Sequence, residues 1–136
     1  MQKLTDIDLN GKRVLIRVDY NVPMQEGRVQ NDFRIRASMP TIKHCLNSGA
    51  SVVLMSHLGR PGGQFDDDLS LDPIAFDVED LLDIDVHFSK DCISKESIEL
   101  SHSMKPGEVH LLENLRFHDT ETTNDDIFSL LLAQHG

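Results

Sequence analysis

Ser51-Val52-Val53-Leu54-Met55 is a five-residue run dominated by apolar and β-branched side chains, and it breaks at once into Ser56-His57-Leu58-Gly59-Arg60. A half-exposed strand would alternate apolar and polar residues, so a continuous run of this length reads as a strand buried on both faces. Three other stretches read alike. Residues 13–18 (Arg-Val-Leu-Ile-Arg-Val) follow a turn marked by Gly11 and Lys12, residues 109–112 (Val-His-Leu-Leu) follow Pro106-Gly107, and residues 85–88 (Asp-Val-His-Phe) form a third strand. Helical spacing separates them. Met39, Ile42, Cys45 and Leu46 predict one helix, with Pro40 in its first turn and Asn47 and Gly49 as stop signals. Ile74, Val78, Leu81 and Leu82 predict a second, with Ser70 as N-cap and Pro73 in the first turn. A short helix is expected within 94–104, an exposed loop over 61–69, and a last helix capped by Asn124 with Ile127, Phe128 and Leu131 on its apolar side. Strands alternating with helices need crossover connections. The expected fold is therefore α/β, a doubly wound, mostly parallel, Rossmann-like sheet.

The bulk properties exclude more than they assert. A chain of 136 residues is enough for one domain with a core. Its net charge of −10 argues against nucleic acid or an anionic membrane as partner, since phosphate backbones attract clustered Lys and Arg. A few placed arginines can still make one pocket positive. No run is apolar and long enough to span a bilayer. Cys45 and Cys92, far apart, read as reduced thiols rather than a disulfide framework. No HExxH, CxxC, GxxxxGK[ST] or GxGxxG occurs, and Asp66-Asp67-Asp68 lacks the spacing of a calcium loop, so no metal site and no nucleotide-phosphate loop is expected.

Polar residues gather just past the strands. Asp19 and Asn21 follow the first, His57 and Arg60 the second, and Asn114 and Arg116 the fourth. In open parallel sheets ligands bind at the carboxyl ends of strands, so one shared pocket is expected there. Arg34, Arg60 and Arg116 supply forked donors for carboxylate or phosphate, and His57 adds a donor whose charge is tunable near neutral pH. Asp19 and Asn21 offer acceptors for hydroxyl groups. The set fits a small hydroxy-acid carrying a phosphate. Taken singly, Arg60 and Arg116 also read as solvated surface arginines, Asp19 as an Asx turn and His57 as a loop histidine.

Three segments in order carry a resemblance: 17–23 (Arg-Val-Asp-Tyr-Asn-Val-Pro), 56–61 (Ser-His-Leu-Gly-Arg-Pro) and 113–117 (Glu-Asn-Leu-Arg-Phe). With Arg34-Ile35-Arg36-Ala37, Pro40-Thr41-Ile42 and Ser70-Leu71, they resemble the acid-binding part of phosphoglycerate kinases. The resemblance implies a transferase that moves a phosphoryl group reversibly between ATP and the carboxyl of 3-phosphoglycerate, with Mg²⁺, in glycolysis. It implies that Asp19, Tyr20 and Asn21 bind the hydroxy-acid. His57, Leu58, Gly59, Arg60 and Arg116 would hold or shape the site for its phosphate. Arg34 would lie nearest the reacting carboxyl and would be catalytic. Tyr20 departs mildly from a family that more often has Phe there.

The same resemblance implies that residues 1–136 form a partial amino-terminal domain, with 3-phosphoglycerate or 1,3-bisphosphoglycerate as small-molecule partner. Mg²⁺ and ATP or ADP would be bound by a carboxyl-terminal domain that is absent. It implies a cytoplasmic protein, monomeric at full length. The alternative is a free-standing module that binds a phospho-acid without catalysis. A sheet lacking its next strands exposes an unpaired edge, so the isolated chain is expected to be marginally stable or to aggregate; a sharp, cooperative melt of a soluble monomer would contradict this.

Overall fold

The computed structural model describes residues 8–22, 24–25, 28–58, 70–92 and 94–115. In chain order the elements are β1 (Arg13–Arg17), β2 (Met24–Gln25), β3 (Arg28–Val29), α1 (Phe33–Asn47), β4 (Ser51–Met55), α2 (Asp72–Leu82), β5 (Val86–Ser89), α3 (Lys95–Ser103) and β6 (Val109–Leu112). Four strands form one sheet in the order β1-β4-β6-β5, and β2 pairs with β3 in a separate two-stranded ribbon. Every pairing in the larger sheet is parallel, with Val52 opposite Val14 on one side and Val109 on the other. The expected doubly wound parallel architecture is what forms. The expected loop over 61–69 and the helix capped by Asn124 lie outside the described residues.

Right-handed crossovers fix which face each helix covers. The steps β1 to β4 and β4 to β5 run one way across the sheet, and β5 to β6 runs back. One face accordingly carries Val52, Leu54, Val109 and Leu111 in a cluster with Ile35, Ile42, Ile74 and Val78 of α1 and α2. The other carries Val53 and Leu112 with Cys92 and Leu115, flanked by Met104 just past α3. His110, also on this face, meets Ser101 of α3 through Nδ1 at 2.8 Å and Ser89 of β5 through Nε2 at 2.6 Å, so both ring nitrogens are satisfied inside the core. Burial on both faces explains why 51–55 and 109–112 lack alternation.

Helix α1 begins earlier than its strongest apolar spacing suggests. Ile35 lies four residues before Met39 and is buried with it, which extends the stripe back by one turn. The Arg36 amide then donates to the Asp32 carbonyl at 2.9 Å, closing the first turn. Pro40 therefore sits in the middle of the helix rather than in its first turn. Its ring lies on the exposed face, where the missing N–H leaves no buried group unpaired. Gly49 ends the helix as expected, at φ +85°, a conformation that costs a side chain about 1–2 kcal/mol. Helix α2 starts at Asp72 with Leu71 as N-cap; Ser70, the expected cap, stands one residue earlier and its Oγ accepts the Asp72 amide at 3.2 Å. The Ser94 hydroxyl caps α3 by accepting the Ser97 amide at 3.1 Å. The β2–β3 ribbon was not expected; its half-buried Met24 and Val29 pack against the main core.

Cys45 and Cys92 are both buried. No helix among the described residues is long and apolar enough to cross a membrane. Burial decides which side chains hold the fold. Leu54→Ala, at a site with no exposure, is expected to cost about 2–5 kcal/mol in denaturant unfolding. Phe76→Ala, at a residue 69% exposed, should change stability by less than about 0.5 kcal/mol; comparable losses would mean that Phe76 is covered in solution.

Candidate functional site

Three loops leave the sheet at its carboxyl edge: 18–22 after β1, 56–58 after β4 and 113–115 after β6. They are stitched side to side. The Val18 amide donates to the Met55 carbonyl at 2.9 Å, and the Leu115 amide to the Ser56 carbonyl at 3.0 Å. The Ser56 hydroxyl accepts the Tyr20 amide at 2.9 Å and donates to the His57 carbonyl at 3.0 Å. Asn114 Nδ2 donates to the Leu58 carbonyl at 2.7 Å.

Glu113 ties the edge to α2. Its side chain is buried, Oε1 accepting the Leu71 and Asn114 amides, both at 2.8 Å, and Oε2 accepting the Ser70 hydroxyl at 2.6 Å. Leu71 is the N-cap of α2, so the carboxylate faces the positive end of that helix. Burial pushes the Glu113 carboxyl above its ordinary range; the three hydrogen bonds pull the other way without overcoming it, and the charge of Asp72 adds to the rise.

The outer wall of the site is polar and open. Arg34, in the first turn of α1, donates from Nη1 to Asp19 Oδ1 at 3.1 Å and to the Asn21 carbonyl at 2.7 Å. Asp19 Oδ1 also accepts the Asn21 amide at 3.3 Å, the Asx turn that its position allows. The Arg34 and Asp19 side chains are 50% and 63% exposed, so this ion pair contributes only about 0–1 kcal/mol and is easily exchanged for another anion. An open cleft of about 340 Å³ lies against it, lined by Val18, Asp19, Arg34, Ser38 and Thr41, and a second of about 250 Å³ lies between Asn21, Asn31, Phe33 and Arg34.

The sequence-expected residues divide into two groups. Asp19, Asn21 and Arg34 are brought into direct contact. Tyr20 and Leu58 point inward and are buried. The Tyr20 hydroxyl meets Ser38 Oγ at 2.7 Å, and burial pushes its pKa up to about 12, so it stays neutral and holds the loop from inside. His57 is half-buried on the adjoining loop. Gly59, Arg60 and Arg116 lie outside the described residues.

A sequence model of the family "phosphoglycerate kinase" matches residues 4–136. The chain belongs to the phosphoglycerate kinase family. Its relatives include the phosphoglycerate kinase of Moorella thermoacetica, 53% identical over 135 residues, covering 98% of this chain and 34% of the relative. That of Elusimicrobium minutum is 48% identical over 136 residues, covering 100% of this chain and 34% of the relative. The structure resembles phosphoglycerate kinase from Pyrococcus horikoshii, with a TM-score of 0.85 at 34% identity, over 98% of this chain and 34% of that one. It also resembles the Coxiella burnetii enzyme, with a TM-score of 0.83 at 34% identity, over 96% and 32%. The chain thus spans about a third of the length of the phosphoglycerate kinases it matches.

Two polar residues at this edge, Ser56 and Glu113, had no assigned role in the sequence, and two others, Ser70 and Asn114, were expected only as a helix cap and as a polar residue past a strand. Glu113 and Asn114 were visible as polar residues directly after an apolar strand. Their partners, 42 and 56 residues away, were not. Because the folded Glu113 carboxyl titrates above its unfolded value, its contribution to stability is present below the ordinary carboxylate range and is lost as pH rises through the folded value. Glu113→Gln, which keeps an acceptor and never ionises, should therefore raise Tm relative to the parent near pH 7 and match it near about pH 4; a Tm difference that does not vary with pH would contradict the assignment.

Proposed function

We propose that this chain binds the phosphorylated hydroxy-acid of the phosphoglycerate kinase reaction, 3-phosphoglycerate or 1,3-bisphosphoglycerate, at the carboxyl edge of its sheet. The observation that carries this is the meeting of Asp19, Asn21 and Arg34, from a strand end and a helix start, in one open polar wall. Asp19 and Asn21 bind the hydroxy-acid through its hydroxyl, and Arg34 lies nearest its carboxyl. Tyr20 and Leu58 hold their loops from the core side. His57, Gly59, Arg60 and Arg116 receive the acid's own phosphate, which suits guanidinium forks and a histidine.

Arg34 is the catalytic residue of this set. Its guanidinium, at the positive end of α1, is free to leave the weak pair with Asp19 for the substrate carboxyl and to stabilise charge on the phosphoryl group in transfer. Catalysis is by positioning and electrostatics, in-line, with no covalent enzyme intermediate. Among the described residues no group of three or more His, Cys, Asp or Glu is placed to hold a metal ion. The Mg²⁺ and the ATP or ADP of the complete reaction belong to the length of the relatives beyond the match. Under the same reading the full-length protein works in glycolysis, in the cytoplasm and as a monomer.

The test is a chimera in which this chain replaces the matching third of the Moorella thermoacetica enzyme. It should turn over 3-phosphoglycerate. Arg34→Ala should lower its kcat by about 10²–10³-fold, the usual loss of a transition-state donor, with a much smaller rise in KM. Equal effects on binding and turnover would reduce Arg34 to a binding residue. Saturable binding without turnover would favour the non-catalytic module.

A further inference from the structure

Inside the edge lies a second, buried arrangement. Glu113 and Asn114 are adjacent in sequence, follow β6 directly, and are both buried. Their side chains bond to either side of one upstream segment. Asn114 Nδ2 holds the Leu58 carbonyl at 2.7 Å. Glu113 holds the Ser70 hydroxyl at 2.6 Å and the Leu71 amide at 2.8 Å. Leu58 and Ser70 are the residues on either side of segment 59–69, the stretch that carries Gly59 and Arg60. One dipeptide therefore fixes both ends of that segment. The next amide, Leu115, is held by the Ser56 carbonyl at 3.0 Å, which sets where the chain departs toward Arg116.

Given the acid-binding role proposed above, we infer that Glu113 and Asn114 are positioning residues that hold the loop carrying His57 in register with the start of α2 at the edge receiving the acid's phosphate. The bonding pattern supports a positional role over a purely stabilising one. A buried carboxyl is costly to keep, and an apolar residue of similar volume would serve a core at least as well. Only a group with several acceptor sites can gather a hydroxyl and two amides from two loops onto one point. Asn114 supplies the complementary donor to the remaining loop. A misplacement of about 1 Å at such a site costs up to about 10²-fold in rate or binding.

The same chimera tests this by steady-state kinetics, with 3-phosphoglycerate and ATP varied separately. Glu113→Ala and Asn114→Ala should each raise KM for 3-phosphoglycerate at least about tenfold and leave KM for ATP within about twofold. Glu113→Gln should restore KM to within about threefold of the parent, because it keeps an acceptor for the amides and a partner for the Ser70 hydroxyl. Val78→Ala, which opens a cavity in α2 without touching the edge, should lower Tm and leave both KM values unchanged. If the alanine variants lose stability as Val78→Ala does but keep KM, the pair is merely structural and the inference fails. If an alanine variant does not fold, the comparison of Glu113→Gln with Glu113→Asp decides: the shorter carboxylate cannot span to both loops, and an unchanged KM for it would overturn the inference. A parent chimera that neither turns over nor binds 3-phosphoglycerate would instead overturn the acid-binding role itself.

Discussion

The carboxyl edge of this sheet depends on the buried Glu113 carboxyl and the donors converging on it. Parallel strands deliver their following loops side by side, but a strand by itself does not dictate where its loop goes next. Here β6 reaches across to the entry of α2, and through Asn114 and the Ser56 carbonyl to the exit of β4. A buried polar group left without partners costs about 1–3 kcal/mol, so each member enforces the position of the others. The exposed Arg34–Asp19 pair contributes about 0–1 kcal/mol and enforces little. The two interactions divide the work: the inner network fixes geometry, and the outer pair stays exchangeable for a ligand.

That division also explains which side chains face inward. Tyr20 and Asn21 are neighbours with opposite tasks. Tyr20 is buried, with its hydroxyl on Ser38 and its amide on Ser56, so it locks the loop to both α1 and β4. Asn21 turns outward, where its carbonyl meets Arg34. A Phe at position 20 would keep the packing and lose the bond to Ser38, so the hydroxyl adds a tether rather than a function. Membership of the phosphoglycerate kinase family rests on the whole matched length, while the proposed chemistry rests on these few positions at strand ends.

The parts of the fold set by local pattern were legible in the sequence. Val52, Val53, Leu54 and the run at 109–112 have the unbroken apolar character that two-sided burial produces, and the alternation with helices dictated parallel order. The candidate site was legible because topology alone sends Asp19, Asn21 and His57 to one edge. What could not be read had non-local causes. Pro40 looked like a helix start because a proline in a helix interior is normally excluded, and only the burial of Ile35 shows that the helix is already under way. The β2–β3 ribbon is two residues per strand, too short for any period. Glu113 had no assigned role in the sequence, since the Ser70 hydroxyl and Leu71 amide that accompany its burial lie some forty residues upstream.

The strand order has a consequence for how the chain can assemble. Among the described strands β5 has one neighbour in the sheet, β6, which comes later in the chain. As the polypeptide is synthesised, residues 86–89 emerge before any strand they can pair with, and β4 waits with one side of its ladder open. β1 and β4 can meet first, with α1 closing over them. The four described strands are joined only when residues 109–112 thread between two waiting edges, setting Val109 beside Val52 and Val86. The last described strand is thus an inner one, and Glu113 and Asn114 arrive directly behind it. Until β6 docks the carboxyl edge lacks the loop that ties it to the start of α2, so this part of the fold and of the edge come into being together.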